Sequence, residues 1–247
     1  MQGYVPQVYL KRKPKLNIKL IVALVLVIFL CGTVLIISLG KNKSYDVFER
    51  TTFYYVSAKS SKKNKDLEHL SSSVKSLGGA GITIKHKENY YMIVNVYLDK
   101  SDAEEIAASI KSQFVDSEVV EVKIDSISKQ NKSEIKSNSE LKRFFKLFNN
   151  MIQDIQNTQM MYLSGEITES ELCKEIINYK MKLEDSKVML KEIETSVSKL
   201  VQEYQNMLSI YFEKFFNEFF GCIKKHSILC DFVVNLTIVK TNLFDNL

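Results

Sequence analysis

Histidine occurs three times in the 247-residue chain, proline twice and tryptophan not at all. The histidines (His69, His86 and His226) lie far apart, and none sits in a metal or protease motif. Glycine is scarce too, with eight residues, and its one cluster is Gly78-Gly79-Ala80-Gly81. A phosphate cradle needs glycines that open a helix; this cluster joins a helical pattern to a strand pattern and reads as a turn. No G-x-S-x-G, P-loop or Rossmann glycine pattern occurs. The four cysteines, Cys31, Cys173, Cys222 and Cys230, have no metal-ligand spacing. Cys31 lies in an apolar run, so the other three cannot all pair. A Cys222–Cys230 disulfide is one arrangement, and buried single thiols are the other. The acidic pairs Glu104-Glu105 and Glu184-Asp185 read as solvated charge on helix faces. A protein with no catalytic residue, no metal site and no cofactor follows, and it is expected not to be an enzyme.

Acidic residues are missing from the first 40 positions, which hold five cations: Lys11, Arg12, Lys13, Lys15 and Lys19. Residues 41–133 carry 15 Lys/Arg against 13 Asp/Glu, and residues 134–247 carry 14 against 16, so the cationic excess sits at the N-terminus. Immediately beyond it, residues 20–39 read LIVALVLVIFLCGTVLIISL without a charge. At about 1.5 Å per residue such a helix spans roughly 30 Å, the hydrocarbon thickness of a bilayer. A signal peptide would have a shorter apolar region and small residues at its cut site, which Ser38-Leu39-Gly40 matches poorly. The expectation is a single-pass membrane anchor at 17–40, with a cytoplasmic basic tail at 1–16 and the bulk of the chain extracytoplasmic. The tail suits anionic lipid head groups. The remainder lacks the basic patch with interleaved aromatics of a nucleic-acid binder, so no nucleic acid is expected.

After a spacer at 41–51, residues 52–125 alternate strand and helix signals. TFYYVSA is rich in aromatic and β-branched residues and predicts a strand. Leu67, Leu70, Val74 and Leu77 form one stripe of a helix over 62–77, which Gly78-Gly79 stops. A short strand at 82–85, a polar turn at Glu88-Asn89 and the strand 90–98 (YYMIVNVYL) follow. Ser101 or Asp102 caps a helix bearing Ala103, Ile106, Ala107 and Ile110. Val120, Val122 and Ile124 then alternate with Glu121 and Lys123 in a last strand. This β-α-β-β-α-β order predicts an α+β, ferredoxin-like sheet with two helices on one face.

Polar residues 126–138 read as a linker. From Ser139 the period is helical, with Leu141, Phe144, Phe145, Phe148, Met151, Ile152, Ile155 and Tyr162 on one face, until Ser164-Gly165 breaks it. Thr168 and Glu171 make a capping box, with Ile167 stapled to Leu172. A heptad then runs from Leu172 to Tyr211, with a positions Ile176, Leu183, Leu190, Val197, Tyr204 and Tyr211 and d positions Leu172, Tyr179, Ser186, Ile193, Leu200 and Met207. One long coiled-coil-like helix, folded back on the first as a helical hairpin over 139–225, is expected. Residues 226–247 read equally as helix or strand. Tyr211, Phe212, Phe215, Phe216, Phe219 and Phe220 exceed what one helix face needs.

Three stretches carry a family resemblance. Phe53-Tyr54-Tyr55-Val56-Ser57-Ala58, Tyr90-Tyr91-Met92-Ile93-Val94-Asn95-Val96-Tyr97 and Ser101-Asp102-Ala103-Glu104-Glu105-Ile106-Ala107 resemble the first strand, the third strand and the second helix start of the SPOR domain. Lys59 and Val96-Tyr97-Leu98 replace the family's glycine-bearing strand ends, and Ser57 its glutamine. The resemblance covers 52–125 and implies a peptidoglycan-binding module whose open sheet face takes glycan strands. Carried over, the contacts are Tyr55, Ser57, Tyr91, Ile93 and Asn95. Aromatic rings on an open sheet give flat apolar area with a polar tip, as a sugar platform needs. The function expected is thus a membrane-anchored extracytoplasmic protein binding peptidoglycan at division or sporulation sites. The alternative is an envelope assembly protein that forms homo-oligomers, or takes partner helices, through 139–225.

Overall fold

The computed structural model describes residues 51–124 and 127–247. The expected tail, anchor and all but Thr51 of the spacer lie outside the described residues. The aromatic and β-branched run after Thr51 forms β1 (Thr52–Ser61). The helix predicted over 62–77 is mostly turns: two 3₁₀ segments precede a short α1 (Ser71–Ser76). Leu67 and Val74 still point inward and are buried, whereas Leu77 is exposed. Gly79 follows because a Cβ there would lie 2.7 Å from Val74 Cγ1.

Strands β2 (Ile82–His86) and β3 (Asn89–Tyr97) form a hairpin. Helix α2 (Lys100–Ser109) is capped by Asp99, whose carboxylate accepts from the amides of Ser101 at 2.7 Å and Asp102 at 3.4 Å. The cap is therefore earlier than Ser101 or Asp102. Strand β4 (Glu118–Lys123) completes a four-stranded antiparallel sheet of order β2-β3-β1-β4. Helices α1 and α2 cover one face, on Val56, Ala58, Met92 and Tyr97.

The rest is helical, and its organisation departs from a linker plus a hairpin. Within the expected linker lies α3 (Lys129–Ser137), capped by Ser128 and holding Ile135 fully buried. Helix α4 (Ser139–Leu163) buries its expected face from Leu141 to Ile155. The Thr168–Glu171 capping box starts α5 (Glu169–Leu190). The heptad does not continue as one helix. Ile193 sits in a turn, and Thr195, capped against Ser198, starts α6 (Ser196–Phe219). The inward residues of α6 are Val197, Val201, Tyr204, Leu208, Phe212, Phe215 and Phe219, so Met207 is exposed and Leu200 and Tyr211 are only partly buried. The ambiguous C-terminus is a helix, α7 (Lys225–Asp245). Among the described residues, α7 is the one helix long and apolar enough to cross a membrane, yet most of it is buried as a core helix.

From α4 onward each helix packs antiparallel to the next. Asp154 of α4 accepts from Tyr179 of α5, and Arg143 near the start of α4 reaches Met189 near the end of α5 at 3.4 Å. Gln205 of α6 donates to Ser186 of α5 at 2.9 Å. Phe212 and Phe232 lie 5.1 Å apart between α6 and α7, and Phe145 and Phe244 lie 5.8 Å apart between α4 and α7. These contacts close a four-helix array, which seats α4 and α7 on the second face of the sheet. Phe53, Tyr55, Ile93, Val96, Val120 and Val122 belong to the same buried cluster as Phe144, Phe145 and Val234. The sheet is therefore covered on both faces.

Removing a sheet side chain from this shared core leaves a cavity between sheet and helices. Ile93→Ala is expected to cost about 2–5 kcal/mol in urea unfolding followed by circular dichroism. Tyr54→Ala, at a partly exposed position, is expected to cost less.

Candidate functional site

The five residues implied by the resemblance do come together on β1 and β3, but the face is closed. Tyr55 is 1% exposed, Ser57 and Ile93 0%, and Asn95 4%. The expectation of an open sheet face is corrected here, and the reason is the seating of α4 and α7. Tyr55 donates its hydroxyl hydrogen to Thr237 Oγ1 at 3.0 Å, and burial pushes its hydroxyl up to about 12. Asn95 Oδ1 accepts from Gln159 Nε2 at 3.3 Å, and its amide donates to the Tyr97 hydroxyl at 3.1 Å. Ser57 donates to the Lys59 carbonyl within its own strand at 2.9 Å. Lys240 crosses the same interface, donating to Thr51 Oγ1 at 3.1 Å with its ammonium 5.6 Å from the Phe53 ring centre. Ser227 donates to the Gly79 carbonyl at 2.9 Å.

Magnitudes decide whether this face opens. Returning Phe53, Tyr55, Ile93 and Val96 to water costs roughly 1.5–3 kcal/mol each, about 6–12 kcal/mol on the sheet side alone. The whole net stability of a domain is about 5–15 kcal/mol. Lifting the helices off is thus on the scale of unfolding, and the centre of this face is core.

One corner escapes. Tyr91 is only partly buried, and it pairs across the hairpin with Ile84 and on its other side with Ser60. Ile82 and Ile84, also partly buried, share that face with Tyr91. Asn89 Nδ2 lies 3.5 Å from the Tyr91 hydroxyl, and His86 pairs with Asn89 at the end of the hairpin. The corner offers an aromatic ring, an aliphatic surround, a carboxamide and an imidazole. On the opposite face Lys85 Nζ lies 5.8 Å from the Tyr90 ring centre. Sequence reasoning missed Ile82, Ile84, His86 and Asn89. Their signal was the cross-strand register of the β2–β3 hairpin.

No family model and no curated protein matches the chain. Among solved structures it is similar to the peptidoglycan binding domain of the B. subtilis cell wall lytic enzyme CwlC, at 22% identity and a TM-score of 0.26, over 29% of this chain and 91% of that domain.

The three histidines sit in separate elements, a 3₁₀ turn, the end of β2 and the start of α7. Cys222 and Cys230 do not pair, because Cys230 faces α4 and accepts from Gln159 at 3.3 Å. Burial pushes the Cys230 thiol up to about 12. Iodoacetamide at pH 8 is therefore expected to alkylate Cys222 well before Cys230, read by peptide mass mapping of the reduced protein.

Burial, and then the Lys87 charge, lowers the pKa of His86 from its ordinary 6.5. The fold thus favours the neutral ring. That contribution to stability is present above the unfolded value and is lost as pH falls through it toward the folded pKa. An NMR titration is expected to place the His86 midpoint below 6.5; a midpoint above it contradicts this environment.

Proposed function

We propose that the protein is a non-enzymatic envelope protein that binds peptidoglycan glycan strands at the corner of its sheet. In this reading the uncharged run at 20–39 anchors it in the cell membrane and the folded part works outside, at division or sporulation sites. The observation that carries the reading is the partial exposure of Tyr91 beside Ile82, Ile84 and Asn89, on the strands that bear the SPOR resemblance. A tyrosine ring gives a sugar flat apolar contact, and the carboxamide beside it gives a donor and an acceptor. The other four residues of the implied set hold the core and do not touch ligand.

Pelleting of the full chain in detergent with purified, protein-free sacculi tests this. Tyr91→Ala is expected to lower the bound fraction about tenfold, the effect of roughly 1.4 kcal/mol. Tyr55→Phe is expected to leave it unchanged, because Tyr55 is buried. Equal pelleting of wild type and Tyr91→Ala, or no pelleting of wild type, removes the proposal.

A second reading, assembly through the helices, is favoured by a different observation. Ile177, Met181 and Val188 on α5, with Met207 and Ile210 on α6, are large apolar side chains left exposed. Light scattering of the full chain in detergent, with one protomer per micelle as the contrary result, tests it.

A further inference from the structure

The aromatic excess at the end of α6 is only partly absorbed by the core. Phe212, Phe215 and Phe219 are buried, Phe216 is partly so, and Phe220 is 59% exposed. Phe216 and Phe220 stack at 6.1 Å. Ile223, in the turn between α6 and α7, is fully exposed. Phe220 and Ile177 line one cleft of about 690 Å³ with Lys174 and Cys173. Leu77, 54% exposed, precedes Gly78, which abuts His226 at the start of α7. Large apolar side chains thus converge on a single end of the bundle, on a turn that nothing covers among the described residues.

Lysines are interleaved with them. Lys180 Nζ lies 5.8 Å from the Phe216 ring centre. Lys75 and Lys224 line a cleft on the other side of the turn, with Glu218 and the Lys214–Asp231 pair, bonded at 2.9 Å. Lys225 is paired with Glu169. Pairing therefore offsets Glu169 and Asp231, and leaves Lys75 and Lys224 beside Glu218, Lys174 near Glu171 and Lys180 over Phe216.

We propose that this turn, led by Phe220 and Ile223, inserts into the interfacial region of a bilayer containing anionic lipid. An exposed apolar tip with lysines in excess of acids around it matches such a surface: the side chains enter the acyl boundary and the ammonium groups stay with the head groups. A protein partner would have to supply a concave apolar seat. The source of the bilayer rests on the anchor reading above. Twelve residues, 40–51, separate the uncharged run from β1 and reach at most about 40–43 Å. Thr51 lies beside Lys240, and the tip is at the opposite end of α7, a helix about 31 Å long. The spacer is long enough to let the tip reach the membrane that holds the chain.

Absence of tryptophan gives a clean probe. Full-length Phe220→Trp, reconstituted in vesicles of phosphatidylcholine and phosphatidylglycerol, carries one indole. Replacing the phosphatidylcholine with its brominated form is expected to quench that emission at least twofold, and less when phosphatidylglycerol is omitted. Ile210→Trp, about 15 Å up α6, is expected to stay unquenched. No quenching at position 220, equal quenching at both positions, or a blue shift that grows with protein-to-lipid ratio without quenching, as a second copy would give, each overturns the inference. Flotation after alkaline washing reports on the anchor separately. A chain that fails to float but is still quenched at 220 removes the anchor reading and leaves the inserted tip.

Discussion

Seating of α4 and α7 on the second face of the sheet is the contact that organises this molecule. A four-stranded sheet with two short helices on one side buries only half of its apolar surface, and the chain completes the burial with its own C-terminal region. The interface is mostly apolar, with a few polar side chains matched across it: Tyr55 with Thr237, Asn95 with Gln159, and Lys240 with Thr51. Matched polar groups contribute modestly, but an unmatched one costs about 1–3 kcal/mol, so these pairs specify one seating of the helices. Gln156 shows the limit of that matching. Its amide reaches the Val96 carbonyl at 3.4 Å, while its Oε1 finds no donor among the described residues.

This contact divides the molecule's surfaces by role. The sheet centre becomes core, and at the β2–β3 corner Tyr91, Ile82 and Ile84 stay partly exposed. The helices facing away from the sheet, α5 and α6, retain exposed apolar residues, because their other faces have satisfied the bundle. The β2–β3 corner and the α6–α7 turn belong to different elements and share no residues.

Several local features were legible from residue order. The β-α-β-β-α-β succession follows from aromatic and β-branched runs separated by glycine and polar turns, and the Thr168–Glu171 box marks a helix start whatever surrounds it. The heptad misled because spacings of three and four fit one long helix or two shorter ones. The capping pair Thr195 and Ser198 was the signal that separates them. Asp99 caps because the helix starts at Lys100, which leaves the amides of Ser101 and Asp102 free for its carboxylate; residue type does not separate it from Ser101 or Asp102.

The exposed-face expectation failed for a related reason. A sheet wet on one side alternates apolar and polar residues, whereas FYYV in β1 and YMIV in β3 are apolar on both sides. That continuity already implied a second cover, without saying what supplies it. The sequence by itself determined the four strands, the first two long helix starts and the uncharged run, because these depend on spacing within a few turns of chain. Only the tertiary structure decided which face of the sheet is core and which corner meets solvent. Those outcomes depend on helices whose contacts lie between 60 and 189 residues away finding that face, and periodicity records that a side chain is buried but not by which partner.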